Sequence, residues 1–277
     1  MPQGAVDEFD VPLSGLPPLS HVKFERKHLE GAAAEVRFLP VKPELAEADA
    51  VRVWEGLGGG AVLPVFERQM MNLLSLTVTP NGHQQTQENQ AGWVLATADR
   101  SLSITLYPSL VAVQTTKYDH YRVSLGDPLR KVLALFVEAT GASVINRIGL
   151  RFINRLQDPF ASSPEFWRGH IQPAFAGPLT EGLASLVEAS HQQTQLRLDG
   201  AAAARIISGV FKEEGPLPRY SFLVDLDVFA ERAMSYDADL CANVTRQLNR
   251  TALSLFAHVV TPRHLDELGP VPVEEQS

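Results

Sequence analysis

Apolar and polar positions alternate in two different ways along the chain. Residues 102–107 place Leu, Ile and Leu between Ser, Thr and Tyr, a two-residue period typical of a strand that is buried on one face. Residues 127–141 instead carry apolar side chains at helical spacing, with Asp127 and Pro128 expected as N-cap and first helical residue and Gly141 as the stop. The mixture of both patterns predicts an α+β protein.

The same order of elements is predicted twice, as β-α-β(3-4)-α halves over residues 29–141 and 142–260. The first half has a strand over 30–39, a helix that begins near Pro43, four further strands and a second helix. These four strands are expected at 68–79, 92–98, 101–107 and 110–116, with a polar turn or flexible loop over 80–91. The second half has a strand, a short helical stretch, three strands and a long helix. They are expected at 143–156, 164–175, 184–198, 202–212, 219–228 and 238–259.

We expect that an internal duplication accounts for this repetition. The segments 35–39 and 149–153 align without gaps and place Arg37 and Arg151 at equivalent positions. By analogy, two such halves resemble TATA-binding-protein-like and helix-grip folds, in which curved antiparallel sheets pack on long helices. The analogy concerns the fold and implies no function.

The two ends of the chain have a different composition. Residues 1–28 are expected to form an extended N-terminal segment, and residues 261–277 a flexible acidic tail. Met1–Asp10 contains no basic stretch, and no apolar run approaches the roughly 20 residues that span a bilayer, so the sequence predicts neither a signal peptide nor a membrane span. We therefore expect a cytoplasmic protein.

Composition narrows the classes of function. The 277 residues include 24 Lys and Arg against 32 Asp and Glu, and the formal net charge of −8 disfavours nucleic-acid binding. The single cysteine, Cys241, excludes an internal disulfide and a multi-cysteine metal site, and its helical position predicts a buried packing residue. The eight histidines show no zinc-binding spacing and no phosphate-binding glycine motif occurs, so we expect no metal and no cofactor.

Three arginines recur every four residues in the predicted strand over 143–156. Arg147, Arg151 and Arg155 therefore lie on one face of the sheet, successively about 13 Å apart. Two interpretations remain open. The row forms a surface that binds an extended anion or an acidic partner, or it pairs internally with carboxylates of neighbouring strands. The carboxylates available for such pairs are Glu188, Asp225 and Asp227.

The same strand carries a short motif, Leu150-Arg151-Phe152-Ile153-Asn154-Arg155. It resembles the Leu-Arg-Tyr-Ile-Asn-Arg signature of an uncharacterised bacterial family of sporadically distributed proteins of similar length. Segments 35–38 and 116–121 support the resemblance, which would cover most of the chain. Phe152 replaces the tyrosine of the signature, which argues against a chemical role for that hydroxyl. The resemblance implies a soluble bacterial protein and carries no established activity.

The segment Tyr118-Asp119-His120-Tyr121 is a second candidate for chemistry. A histidine beside an aspartate can supply a general base, and tyrosines can donate protons. Adjacent residues of a continuous strand point to opposite faces, so Asp119 and His120 would meet only in a loop. Aromatic packing is the structural alternative.

These observations favour a binding or accessory module that recognises a partner protein or an anionic ligand through the arginine-bearing face of the sheet. The candidate binding residues are Arg37, Tyr118, His120, Arg147, Arg151, Asn154 and Arg155. An alternative is an enzyme acting on a nucleotide or phosphoester, in which Arg151 and Arg155 stabilise charge, while Asn154 orients the substrate and His120 acts as a base. Nucleic-acid binding on a saddle-like sheet is a third hypothesis.

Overall fold

The computed structural model describes residues 22–79, 82–180, 182–198 and 201–272, with their side chains except those of 72–89 and 272. Within this part of the chain lie eleven strands and five α-helices. The strands are β1 (Val22–Phe24), β2 (Leu29–Phe38), β3 (Val65–Thr79), β4 (Gly82–Ala96), β5 (Leu102–Tyr107), β6 (Leu110–Thr115), β7 (Val144–Leu156), β8 (Gln192–Arg197), β9 (Ala202–Lys212), β10 (Tyr220–Ser235) and β11 (Pro270–Pro272). The helices are α1 (Glu47–Gly56), α2 (Asp127–Thr140), α3 (Pro173–Ala176), α4 (Ala238–Val259) and α5 (Pro262–Glu267).

Nine strands form one antiparallel sheet in the order β3-β4-β5-β6-β2-β7-β10-β9-β8. The two predicted halves meet at its centre, where β2 pairs with β7 and Glu35 lies opposite Gly149. From this central pair the first half extends outward through β6, β5, β4 and β3, and the second half through β10, β9 and β8. The predicted α+β class with an antiparallel sheet is confirmed.

One face of the sheet is covered by helices and forms the hydrophobic core. Alternate residues of the central strands point to this face, and Val36 of β2 and Leu150 of β7 are at most 1% exposed. Phe136 of α2 and Leu248 of α4 belong to the same core. Cys241 of α4 is buried there too, as its position predicted.

The ends of the long helices follow local sequence signals, with one exception. The side chain of Asp237 accepts a hydrogen bond from the N–H of Leu240 at 2.8 Å and so caps α4. Gly141 ends α2 in a left-handed conformation with a φ of 75°. The predicted N-cap Asp127 is the exception, because a π-helical turn at Arg122–Gly126 runs directly into α2 and places Asp127 inside the helical stretch.

Both ends of the described chain carry structure that their composition did not predict. The predicted flexible tail over 261–277 contains α5 and β11, and the predicted extended segment over 1–28 contains β1; the rest of both segments lies outside the described residues. β1 pairs with β11, with Lys23 opposite Val271. A distant strand satisfies backbone groups that a charged, proline-rich composition suggests are solvated, which is why the composition did not predict α5, β11 and β1.

Two predicted boundaries within the sheet are also wrong. Most of the predicted loop over 80–91 belongs to β4, which pairs with β3 along its whole length. An antiparallel partner satisfies the backbone of a polar segment, so polarity alone does not exclude a strand. Conversely, the predicted strand over 184–198 is a continuous strand only in β8, and the segment begins with a 3₁₀ helix at Ala184–Leu186.

Candidate functional site

The arginines of β7 lie on the open face of the sheet, opposite the helices. Arg151 donates two hydrogen bonds to Asp225 of β10, at 2.9 and 2.6 Å. Arg147 is more buried, with its side chain 12% exposed, and lies 2.7 Å from Glu35 and 3.0 Å from Asp227. Internal pairing with neighbouring strands therefore describes the contacts of both arginines.

The rest of this open face is balanced in charge as well. Arg155 lies 3.0 Å from both Glu30 and Glu213, and its guanidinium lies over the ring of Phe211. The arginines paired on this face are Arg37, Arg147, Arg151, Arg155 and Arg205, and the carboxylates are Glu30, Glu35, Glu213, Asp225, Asp227 and Glu231. Arg37 and Arg151 remain half exposed, but these ion-paired groups leave no excess of positive charge.

The other predicted site residues lie on the helix side of the sheet. Asn154 is adjacent to an arginine in sequence, so its side chain points to the opposite face. There its amide group donates hydrogen bonds to the carbonyl oxygens of Phe152 and Val224, at 3.3 and 2.9 Å. Tyr118 packs edge-on against Phe152, with ring centres 5.8 Å apart. The predicted set is thus divided between two surfaces, with the arginines on one and Asn154, Tyr118 and His120 on the other.

Tyr118, His120 and Asn154 line a single cleft of about 1420 Å³ between the sheet and α4. Its walls are β1 with the residues that follow it, the loop after β6, the start of α2 and one side of α4. Phe152 of β7 and Leu226 of β10 form an apolar floor. The volume is larger than that of most small-molecule pockets, so the cleft has room for an extended ligand.

Basic side chains dominate the lining of this cleft. They are Lys23, Arg26, Lys27, Lys117, Arg122, Arg130, Arg246 and Arg250, against the carboxylates Glu25, Asp119 and Asp127. Arg26, Lys117 and Arg130 also contact carboxylates outside the lining, in the pairs Arg26–Asp158, Lys117–Asp99 and Arg130–Asp239. Among the residues of the lining itself, cations outnumber carboxylates, in a chain whose net charge is −8.

One side of α4 supplies polar groups that are absent from the predicted set of site residues. Arg246, Asn249, Arg250 and Leu253 recur at three- and four-residue intervals, so they follow one side of the helix, and all four line the cleft. Arg246 hydrogen-bonds the side chain of Asn243 at 3.1 Å and makes no ion pair with the described residues. The signal in the sequence that identifies this row is its helical spacing, which is the same as that of the apolar residues of α4.

His120 and Asp119 form a hydrogen-bonded pair at the rim of the cleft. The chain leaves β6 at Thr115, so strand alternation no longer separates the two side chains, and Nδ1 of His120 lies 3.1 Å from the carboxylate of Asp119. Hydrogen bonds from Lys23 and then from His120 lower the pKa of Asp119, which is therefore ionised at neutral pH. The pair is on the helix side, so the constellation of His120 with the arginine row is not assembled.

An aromatic wall closes one side of the cleft. His28 stacks on Phe256 of α4 with ring centres 5.0 Å apart, and Phe24 contacts both rings. Burial lowers the pKa of His28, so its ring is neutral at pH 7. Burial also raises the pKa of Tyr118 and keeps its phenol neutral. Cations around neutral aromatic groups suit a ligand that combines an anionic group with an apolar body.

Comparison with known proteins gives no relative from which a function could be transferred. No family model matches the chain, and no curated protein matches it. Within the described residues, no helix combines the length and the apolar character that a membrane crossing requires.

Proposed function

We propose that this protein is a binding module for an amphipathic anion, which occupies the cleft between the sheet and α4. The observation that carries the proposal is the lining, in which basic side chains surround an apolar floor. An apolar ligand body gains free energy when the floor removes it from water. The cations attract an anionic group, and because Arg246 and Arg250 are exposed, salt screens this attraction.

The polar residues along one side of α4 are assigned to bind the anionic group of the ligand. Arg246 and Arg250 are one helical turn apart, so both guanidinium groups can reach the same phosphate or carboxylate. Asn249 lies on the same side and can donate through its amide. Phe152 and Phe256 pack against the apolar body. Support for this assignment comes from Arg246, which no described carboxylate neutralises.

The proposal keeps the functional class predicted from the sequence and changes the face of the sheet. Recognition of an anionic ligand is assigned to the helix side because the ion-paired groups of the open face are balanced in charge. Contact with a partner protein through the half-exposed Arg37 and Arg151 stays a prediction. The resemblance to the sporadically distributed bacterial family and a cytoplasmic location also stay predictions.

We also propose that the two halves arose by duplication, in an arrangement like that of TATA-binding-protein-like or helix-grip folds. The support is the order of strands, which runs outward in the same way on each side of the central pair β2 and β7. A long helix follows the last sheet strand of each half, α2 in the first and α4 in the second. The cleft borders both of these helices.

Titration with 8-anilinonaphthalene-1-sulfonate, a fluorescent aromatic sulfonate, tests the binding function. We expect saturable binding at one site that weakens about tenfold in Arg246→Gln, because one charge-assisted hydrogen bond is lost. Arg37→Gln is the matched control, since it removes an exposed arginine from the opposite face. It should bind the probe as the wild type does.

A neutral probe tests the apolar part of the site separately from its cationic part. N-phenyl-1-naphthylamine shares the aromatic body without the charge, so its affinity should be the same in the wild type and in Arg246→Gln. Added salt should weaken the sulfonate probe alone. If Arg246→Gln and Arg37→Gln change the affinity for the sulfonate probe equally, the probe binds elsewhere and the cleft is rejected as the binding site.

An enzyme acting on phosphoesters is the second candidate function, and the His120–Asp119 pair favours it. An ionised aspartate that holds an imidazole at the rim of a cationic cleft is an arrangement used for general-base catalysis. Turnover of bis(p-nitrophenyl) phosphate that disappears in His120→Gln, while probe binding persists, would support catalysis. Absence of turnover in the wild type would reject it for this substrate class.

A further inference from the structure

A second cluster of polar groups lies outside the cleft, where α5 packs against the 3₁₀ helix Pro164–Gly169. His170, which follows this 3₁₀ helix, lies beside His264 and Glu267 of α5. One ligand atom from each residue falls within 4.8 Å of the other two. The side chains of His170 and His264 are 6% and 4% exposed, whereas that of Glu267 is 31% exposed.

The imidazole of His170 turns its Nε2 atom toward this cluster. Its Nδ1 lies 2.9 Å from the carbonyl oxygen of Phe166, which can only accept, so Nδ1 donates a hydrogen bond there. Nε2 faces Oε2 of Glu267 at 3.4 Å. Nε2 is therefore the atom through which this ring can bind an ion that it shares with the carboxylate.

The imidazole of His264 has no hydrogen-bond partner among the described residues. Both of its ring nitrogens are buried and unpartnered. Its Nδ1 lies 3.5 Å from the same Oε2 of Glu267, which is longer than an ordinary N–H···O hydrogen bond. Buried polar atoms of native proteins nearly always have partners, so an unpartnered imidazole that points at a carboxylate requires an explanation.

The two separations between an imidazole and the carboxylate fit the edges of a metal coordination site. Nitrogen and oxygen ligands of tetrahedral zinc, at about 2.0 to 2.1 Å from the ion, lie about 3.4 Å from each other. The distances of 3.4 and 3.5 Å from Oε2 of Glu267 to the two imidazoles match this value. The other oxygen of Glu267, Oε1, accepts a hydrogen bond from Arg263 at 2.9 Å, which orients Oε2 toward the histidines.

We propose that His170, His264 and Glu267 form a binding site for a divalent transition-metal ion of the zinc class. Two imidazoles and one carboxylate suit such an ion, whereas magnesium and calcium prefer oxygen ligands alone. Three protein ligands leave one tetrahedral position for a water molecule. The sequence predicted no metal because His170 is distant in the chain and the spacing of His264 and Glu267 alone is no recognised motif.

The ion would tie the end of the chain to the wall of the cleft. α5 leads through Leu268 to β11, and β11 pairs with β1. The N–H of Arg26, beside β1, donates to the carbonyl oxygen of Leu268 at 3.1 Å. Because a metal bound by the folded state stabilises that state, zinc should raise the unfolding midpoint of the whole chain.

Isothermal titration of the EDTA-treated full chain with Zn²⁺ tests the site. We expect one ion per chain, with affinity lowered by roughly 100-fold or more in His264→Asn and in Glu267→Gln, since each removes a ligand. Co²⁺ should give visible absorption bands of tetrahedral coordination in the wild type and not in these variants. His258→Gln is the matched control, because it removes an exposed histidine of α4 and leaves the three ligands in place.

His264→Asn removes a buried imidazole and can prevent folding. Glu267→Gln keeps the test decisive in that case, because Glu267 is partly exposed and the glutamine side chain has the same shape as the glutamate side chain. Circular dichroism shows which variants are folded and can be interpreted. Binding that is lost in Glu267→Gln and kept in His258→Gln supports the site. Absence of one-to-one binding in the wild type, or equal binding by Glu267→Gln, overturns the proposal.

Discussion

Ion pairs on the open face differ in how many partners each carboxylate has. Asp227 contacts both Arg147 and Arg205, whereas Asp225 is paired with Arg151 alone among the described residues. Asp225 is also only 5% exposed. A buried carboxylate that loses its single cation keeps the cost of desolvation without the attraction that offsets it. The energetic importance of these arginines therefore depends on the burial of their partners.

We expect Arg151→Met to lower the free energy of unfolding by about 3 kcal/mol, because Asp225 is left buried and unpaired. Adding Asp225→Val should recover most of this loss, since it removes the charge and supplies a β-branched residue for the strand. Arg37→Met, whose partner Glu35 keeps its contact with Arg147, should cost less than about 1 kcal/mol. Urea unfolding measures all three variants, and equal stability of the single and double variants would contradict the argument.

At the scale of elements, β9 and the segment before β8 approach each other so closely that a glycine is required. A Cβ atom on Gly209 would lie 1.9 Å from the carbonyl oxygen of Ser190 and 2.7 Å from Cα of His191. Both are backbone atoms, so no rotamer change relieves the overlap. The approach is part of the pairing, because the N–H of Ser190 donates to the carbonyl oxygen of Val210 at 2.8 Å.

Gly209→Ala should therefore displace the segment before β8 and destabilise the protein by about 2 kcal/mol. Gly169→Ala is the matched control, since a Cβ there meets nothing within 4 Å and the reduced freedom of the unfolded chain favours folding slightly. Thermal unfolding compares the two variants. Hydrogen exchange should show lost protection at the amide of Ser190 in Gly209→Ala, and unchanged protection would show that the segment accommodates the methyl group.

Elements defined by their own periodicity could be predicted from the sequence, and elements defined by their partners could not. The alternation in β5 and β7 and the helical spacing in α4 identified these elements because each buries one face. The polar part of β4 is held by β3, and β11 is held by β1 from the other end of the chain. A single sequence does not show which strands pair with each other, so the polar part of β4 and the segment of β11 were predicted as irregular chain.

The candidate sites divide in the same way. Strand alternation sufficed to place Arg147 and Arg151 on one face and to suggest Asp225 and Asp227 as their partners. It did not show that Asn154 shares a cleft with one side of α4, because that depends on how the helix lies across the sheet. The cluster of His170, His264 and Glu267 likewise exists only after distant segments have packed together.

At the scale of the whole molecule, the pairing of β2 with β7 makes one sheet with two different faces. The open face carries arginines and carboxylates that neutralise each other, and the helix face carries the core and the cationic cleft. The net charge of −8 is the sum over both faces of the sheet, the helices and the rest of the chain. It therefore excludes neither a local anion site nor a metal site, although it does disfavour a broad basic surface.

Global stability is linked to pH through the cleft wall. His28 is buried against Phe256, and this burial lowers the pKa of its imidazole below the ordinary value of 6.5. As the pH falls through 6.5, the unfolded chain binds a proton at His28 that the folded chain does not, so the free energy of unfolding decreases. The decrease ends once the pH is below the lowered pKa of the folded state.

We expect His28→Phe to remove this part of the pH dependence, because phenylalanine keeps the ring contact with Phe256 and cannot be protonated. The difference in unfolding free energy between wild type and His28→Phe should be constant above about pH 7.5 and should shift in favour of the variant below about pH 6.5. Urea unfolding in EDTA at a series of pH values measures this difference. His191→Phe, at an exposed position, should give a curve parallel to that of the wild type. A pH-independent difference for His28→Phe would show that the folded protein tolerates a charged imidazole in the wall, and the wall could then itself contribute to anion binding at low pH.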